Sequence, residues 1–352
     1  MDKKVRIGFV GVGGMGQQAH LRNYHIVPEC EVVAIAEIRP QLAKRVAEKY
    51  HIPKVYSDAG EMLSKEKLDG IVAPQPFTRH GQVLPDLYKS KIPVLTEKPL
   101  AGSIEVGEML LKALRGGGSW HMVGYHKRSD PAVMWAKKEM GRLKETGELG
   151  KLKYVRIIMP AGDWVAGGFN DLIDSKELLP PVQWDPPATD MDKPVYDQYV
   201  GFVNYYIHQV NLMRHLLGEP YQVKYADPSG VMLAVQSESG VGGVIEMTPY
   251  QTSIAWEESA LIAYEHGYIK IVLPAPVALN RPGHVEVYYD NPQKGIEPKR
   301  VIPTLPWTHA MLQQARNFVG AIKGDNEPPC DAAEALEDLK VAREYIKLWR
   351  NK

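Results

Sequence analysis

Cysteine is almost missing from this chain: Cys30 and Cys330 are the only two among 352 residues. Two isolated thiols so far apart offer neither metal-ligand spacing nor a disulfide framework, and they read as buried and reduced. Excess charge is missing as well. Lys+Arg and Asp+Glu both total 42, so the formal charge is zero. Nucleic acid as the main partner would need clustered positive charge, and this balance argues against it. No apolar run approaches the roughly 18 residues of a membrane span. Met1-Asp2-Lys3-Lys4 runs straight into an apolar segment and leaves no room for a secretory signal. The default expectation is a cytoplasmic protein without membrane contact. There is no internal repeat and no low-complexity tract.

What remains is an ordinary globular composition, 44% apolar and 24% charged, with a length that suggests two domains. The first 120 or so residues alternate apolar runs with helical patterns. Val5–Val10, Glu31–Ala36, Gly70–Ala73, Val94–Thr96 and His121–Tyr125 read as strands. Helices are expected over Gly14–Tyr24, Gln41–Tyr50, Gly81–Ser90 and Val106–Leu114, the last broken by Gly116-Gly117-Gly118. Such alternation predicts a parallel sheet with helices on both faces. After Gly150 strands follow one another: Leu152–Met159, Val231–Gln236, Gly242–Met247, Ser259–Tyr264, Tyr268–Leu273 and His284–Tyr289. They predict an open, mostly antiparallel sheet. One helix, Tyr205–Leu217, interrupts them and stops at Gly218-Glu219-Pro220. Helices over Thr308–Lys323 and Ala332–Trp349 close the chain. The segment Gly162–Tyr199, with Trp164, Trp184 and seven aspartates, fits neither pattern and reads as an ordered loop over a site.

Directly after the first strand stands Gly11-Val12-Gly13-Gly14-Met15-Gly16, a G-x-G-x-x-G run. Gly11 permits the tight turn, Gly13 lets the backbone approach a pyrophosphate, and Gly16 lets helix and strand pack closely. The following helix points its first N–H groups at the phosphates. Glu37 ends the second strand 21 positions after Gly16, where an acid binds the ribose hydroxyls. A carboxylate there repels the extra phosphate of NADP, so NAD is favoured. Arg39, two residues on, could accept that phosphate or stack on adenine.

Several motifs now line up: the fingerprint, Gln75-Pro76 followed by His80, Glu97-Lys98-Pro99, Gly124-Tyr125-His126-Lys127-Arg128, and Asn204-Tyr205-Tyr206-Ile207-His208. The set resembles the Gfo/Idh/MocA oxidoreductase family over essentially the whole chain. The resemblance implies an α/β Rossmann domain over 1–124 and an α+β domain with the open sheet over 125–305, used for substrate and oligomer contacts. C-terminal helices over 306–352 would pack back on the first domain. It further implies hydride transfer between a nicotinamide and a sugar, glycoside or cyclitol carbinol, and a homodimer or homotetramer.

Carried over residue by residue, Lys98 would hold the reacting hydroxyl and stabilise developing alkoxide, in a motif whose Lys-Pro bond is often cis. His208 would take the alcohol proton. Asn204 stands where the family usually has Asp, and one helical turn would bring it onto the face of His208; it can orient and bind but adds no charge. Tyr125, Lys127, Arg128, Trp164 and Trp184 are candidate substrate contacts. Gln75, Pro76, His80 and Glu97 join the glycine turn as candidate cofactor contacts. His20 and His126 read as structural or peripheral, and no metal site is expected. Two other readings use the same cofactor: an NAD-dependent glycoside hydrolase working by transient oxidation, elimination and re-reduction, and a nicotinamide-binding sensor without turnover.

Overall fold

A computed structural model describes residues 3–350. Its first sheet has six strands: β1 Val5–Val10, β2 Cys30–Ala36, β3 Lys54–Tyr56, β4 Gly70–Ala73, β5 Val94–Glu97 and β6 His121–Gly124. They lie all-parallel in the order β3-β2-β1-β4-β5-β6. β4, β5 and β6 are buried along their whole length, because helices cover both faces of a parallel sheet. Three-residue β3 and the helix Ala59–Lys65 escaped the sequence reading, since an exposed edge strand carries little apolar signal.

The helix Ile104–Gly117 begins on the Ser103 side chain, which accepts from Val106 N. It runs through Gly116 and Gly117 instead of breaking there. Only Gly118 has a positive φ, 70°, and it serves as the left-handed C-cap. The core gathers Ile7, Phe9, Ile35, Val72 and Leu95 from the sheet, with Tyr24 set edge-on to both Phe9 and Phe318. Phe318 comes from the helix Ala310–Lys323, far along the chain. By contact, this unit comprises Met1–Tyr125, Gly167–Asn204 and Met311–Leu339. The loop segment thus belongs with the first unit, not with the sheet domain expected over 125–305.

The second unit comprises His126–Ala166, Tyr205–Ala310 and Lys340–Lys352. Its sheet has eight strands: β7 Leu152–Ile158, β8 Tyr221–Ala226, β9 Met232–Ser237, β10 Gly242–Glu246, β11 Ser259–Tyr264, β12 Gly267–Val272, β13 His284–Asn291 and β14 Ile296–Val301. The order is β14-β13-β12-β11-β7-β10-β9-β8, antiparallel except for the β7/β10 pair. Burial alternates along β13, with Val285, Val287 and Tyr289 inside. The helices Pro131–Thr146 and Ile207–Leu217 pack on this sheet. The first of these, with Asp130 as its N-cap, had not been foreseen. The helix expected over Tyr205–Leu217 is present as Ile207–Leu217, and a further helix, Lys193–Tyr205, precedes it in the stretch read mostly as loop, with Tyr206 between the two.

In the first unit His121 bridges the Tyr88 and Thr96 hydroxyls, each at 2.8 Å. Burial, with His80 nearby, depresses its pKa to about 3. The unfolded chain, titrating near the ordinary 6.5, then takes up a proton that the folded chain refuses. Stability contributed by this ring is intact above pH 6.5 and falls as the pH drops from there toward 3. The expected slope is about 1.4 kcal/mol per pH unit. Urea unfolding between neutral and acid pH checks it. His121→Gln should flatten the slope, and an unchanged slope would remove His121 from the acid response.

Candidate active site

β1 has its chain neighbours on opposite sides, β2 on one flank and β4 on the other. The connections leave in opposite directions, so a crevice opens at the carboxyl ends of β1 and β4. The glycine turn follows β1. Gly11 has φ +91°, open to glycine and strained for other residues. A Cβ on Gly16 would sit 3.0 Å from Gly11 O, so helix and turn close on each other only because it is absent. Residues 14–24 are helical, with a π-helical middle at Gly16–Leu21. This backbone cradle fits the pyrophosphate of a dinucleotide.

Glu37 is buried and four-fold engaged. Its carboxylate accepts from Val12 N at 3.0 Å and Arg39 N at 3.1 Å, and takes a two-pronged contact from the Arg39 guanidinium at 2.8 and 3.0 Å. Gln75, after β4, donates to Val10 O at 2.8 Å and lies against Gly11. Pro76 is exposed. His80, expected as a cofactor contact, is fully buried. Its ring nitrogens face Leu100 O and Gln75 O at 2.9 and 3.2 Å, and burial lowers its pKa. It braces the two loops that flank the crevice.

Glu97 ends β5, and Lys98-Pro99 follows with a cis bond, as the resemblance implies. His20, expected to be structural or peripheral, is buried, and its Nε2 meets Glu97 Oε1 at 2.7 Å. Burial alone would raise the Glu97 carboxyl. The His20 hydrogen bond and charge, aided by the Lys98 ammonium, hold it below its ordinary value. This hydrogen-bonded pair anchors the residue just before Lys98. The Lys98 ammonium donates to Asn204 O at 2.5 Å. Carbonyls in a helix's last turn lack intrahelical donors, and Asn204 lies in the last turn of Lys193–Tyr205.

The residue that lysine touches is therefore the Asn204 backbone, while the Asn204 side chain is exposed. Asn204 lies on the helix Lys193–Tyr205 and His208 on the helix Ile207–Leu217. In the second unit His208 is buried and packs edge-on against His126, ring centroids 4.4 Å apart. His126 is thus a neighbour of the candidate base.

Lys127 and Arg128, candidate substrate contacts, are both buried and paired within the fold. Lys127, 3% exposed, donates to Glu258, 0% exposed, and Glu258 also accepts from Gln209 at 2.8 Å. Arg128 is buried and donates to Asn211 at 2.6 Å. Their charges are used inside the fold. Tyr125 is buried too. Trp164 and Trp184 fall in different units, and Trp184 lies on the surface over the Arg79 guanidinium. Among the described residues no His/Cys/Asp/Glu group could hold a metal ion, and no helix is long and apolar enough to cross a membrane.

Residues 5–125 match the family model for GFO_IDH_MocA, described as an oxidoreductase family with an NAD-binding Rossmann fold. This stretch carries the NAD-binding Rossmann domain of the Gfo/Idh/MocA oxidoreductase family. Among its relatives, the uncharacterized oxidoreductase YrbE of Bacillus subtilis (strain 168) is 24% identical over 97% of this chain and 94% of its own. The scyllo-inositol 2-dehydrogenase (NAD(+)) of the same organism is 24% identical over 73% of this chain and 72% of its own. Two solved structures share the fold. Levoglucosan dehydrogenase, in complex with NADH and levoglucosan, aligns with a TM-score of 0.72 at 18% identity, covering 99% and 98% of the two chains. An oxidoreductase from Agrobacterium radiobacter, in complex with NAD+, L-tartaric acid and magnesium, aligns with a TM-score of 0.70 at 14% identity, covering 99% and 97%.

Lys127 and Glu258 make a checkable pair. Lys127→Met strands a buried carboxylate and should cost about 3–5 kcal/mol of stability. Adding Glu258→Gln should recover much of that loss, as read from denaturant midpoints. A single variant as stable as the wild type would show that the pair is not needed for the fold.

Proposed function

We propose that this oxidoreductase is an NAD-dependent dehydrogenase acting on a secondary alcohol of a sugar, glycoside or cyclitol. One observation carries the reading: Lys98 projects from the carboxyl end of β5, behind the buried His20–Glu97 pair, on the edge of the parallel sheet that holds the glycine turn. The relatives support the substrate class. One is named for scyllo-inositol, another as the myo-inositol 2-dehydrogenase of Thermotoga maritima. The solved neighbours carry NAD+ or NADH in three cases, while a 3-ketoreductase from Actinomadura kijaniata carries NADP.

The glycine turn and Glu37 would hold the dinucleotide. A nicotinamide, when bound, supplies the acceptor and donor of hydride. The protein's share of the chemistry is the handling of charge and proton. Lys98 steadies the carbinol oxygen as it becomes an alkoxide, an effect worth several kcal/mol where water is scarce. The bond it now makes to Asn204 O gives the ammonium a defined resting place four residues ahead of His208. His208 takes the hydroxyl proton, and its neighbour His126 limits the ring's orientation. With Asn at position 204, no carboxylate at that place stabilises the imidazolium.

A pairing of chains is part of this proposal. Val244, Arg156 and Leu261 stand side by side on neighbouring strands of the second sheet, with Arg156 paired to Glu246, and Ile158 lies two residues along from Arg156 on the same half-buried face. A half-buried face that mixes aliphatic side chains with an internally paired Arg156 and Glu246 suits a homodimer or homotetramer. Light scattering should return twice or four times the chain mass, and a monomer at micromolar concentration would count against it.

The deciding assay offers polyols, sugars, uronates and aryl glycosides with NAD and follows both NADH and aglycone. A dehydrogenase accumulates NADH; a redox-assisted glycosidase releases aglycone without it. Lys98→Ala should lower turnover by about two orders of magnitude or more while dinucleotide affinity is retained. His208→Asn should do the same and remove the acid limb of the pH–rate profile. Full turnover in Lys98→Ala would end this assignment.

A further inference from the structure

The irregular segment 167–192 is fastened to the first unit at points that bear on the adenosine end of a dinucleotide site. Gln17 and the Ile173 backbone exchange two hydrogen bonds, at 3.0 and 3.1 Å. Arg22 donates to Gly168 O at 2.9 Å and Lys49 to Asp171 O at 2.7 Å. Phe169 reaches to within 3.6 Å of where a Cβ on Gly14 would stand. So held, the segment delivers Glu177 to the start of the helix Pro40–Tyr50. There its carboxylate accepts from Gln41 N at 3.1 Å and Leu42 N at 2.8 Å.

Arg39 is the N-cap of that helix, and its Nη2 lies 3.7 Å from where a Cβ on Gly13 would stand. A 2′-phosphate on the ribose, next to the end of β2, would call on two kinds of donor: a guanidinium and free N–H groups at a helix start. Both are already taken by carboxylates, the guanidinium by Glu37 and the N–H pair by Glu177. One cation faces two anions.

We infer that Glu177 is a specificity-determining residue, a carboxylate that fills the anion position beside Arg39 and turns away the 2′-phosphate of NADP. The inference rests on the dinucleotide reading above. It deepens that reading, because the acid at the end of β2 is neutralised by its own arginine and cannot alone set the preference. Asp174, on the same segment, adds negative charge toward Arg39.

The test is titration of NADH and NADPH into the full chain by calorimetry, for the wild type, Glu177→Gln and Glu177→Ala, with thermal melts to confirm folding. Both variants should gain about tenfold or more in NADPH affinity relative to NADH. In both, 2′-AMP should compete for the opened position. A residue that merely anchored the segment would move both affinities together and leave their ratio where it was. An unchanged ratio in both variants overturns the inference and leaves the dinucleotide reading intact. A wild type that binds neither dinucleotide overturns both.

Discussion

A parallel strand whose two neighbours are reached by connections running opposite ways leaves a gap at its carboxyl end, and this chain builds around that gap. β1 is the strand in question, with β2 and β4 beside it. The glycine turn follows β1, Glu37 follows β2, Gln75 follows β4 and Lys98 follows β5. Residues scattered over some ninety positions therefore share one rim because a parallel sheet puts all its carboxyl ends on one edge. The sheet can do this only if it is covered on both faces, which is why its inner strands are apolar throughout.

Charges placed inside such a fold must be answered locally, and here the answers define the site. His20 keeps Glu97 ionised behind Lys98. Arg39 holds Glu37 in a two-pronged grip. Lys127 and Glu258 neutralise one another beneath the sheet domain's surface, one residue along from His126, with Gln209 joining them one residue along from His208. Each pair offsets a desolvation cost that neither partner could bear alone. The result is a set of buried carboxylates, each with a basic partner within hydrogen-bond reach.

Much of this was open to inspection in the chain itself. Apolar runs separated by helical patterns predicted five of the six parallel strands, and a glycine at Gly11 announced the turn that needs φ > 0. The misses have physical causes. β3, β8 and β14 are short or lie at sheet edges, where burial imposes little pattern. The helix break at Tyr206 left no proline or glycine to mark it. Lys127 and Arg128 stood out as candidate substrate contacts, and nothing in their neighbourhood hinted at Glu258, 131 residues after Lys127.

Local sequence determined the elements and their chemistry: the strand–turn–helix that suits a pyrophosphate, the lysine at a strand end, the histidine near a helix start. Those properties follow from backbone freedom, hydrophobic period and side-chain type over a few neighbouring residues. Tertiary structure alone decided which charges are spent and which are left to act. It buried Lys127, seated Lys98 on the Asn204 carbonyl, and carried Glu177 across 135 positions to a helix that had no cap of its own. Burial and pairing are properties of distance in space, and the electrostatic value of a side chain is set by what the fold brings within a few ångströms of it.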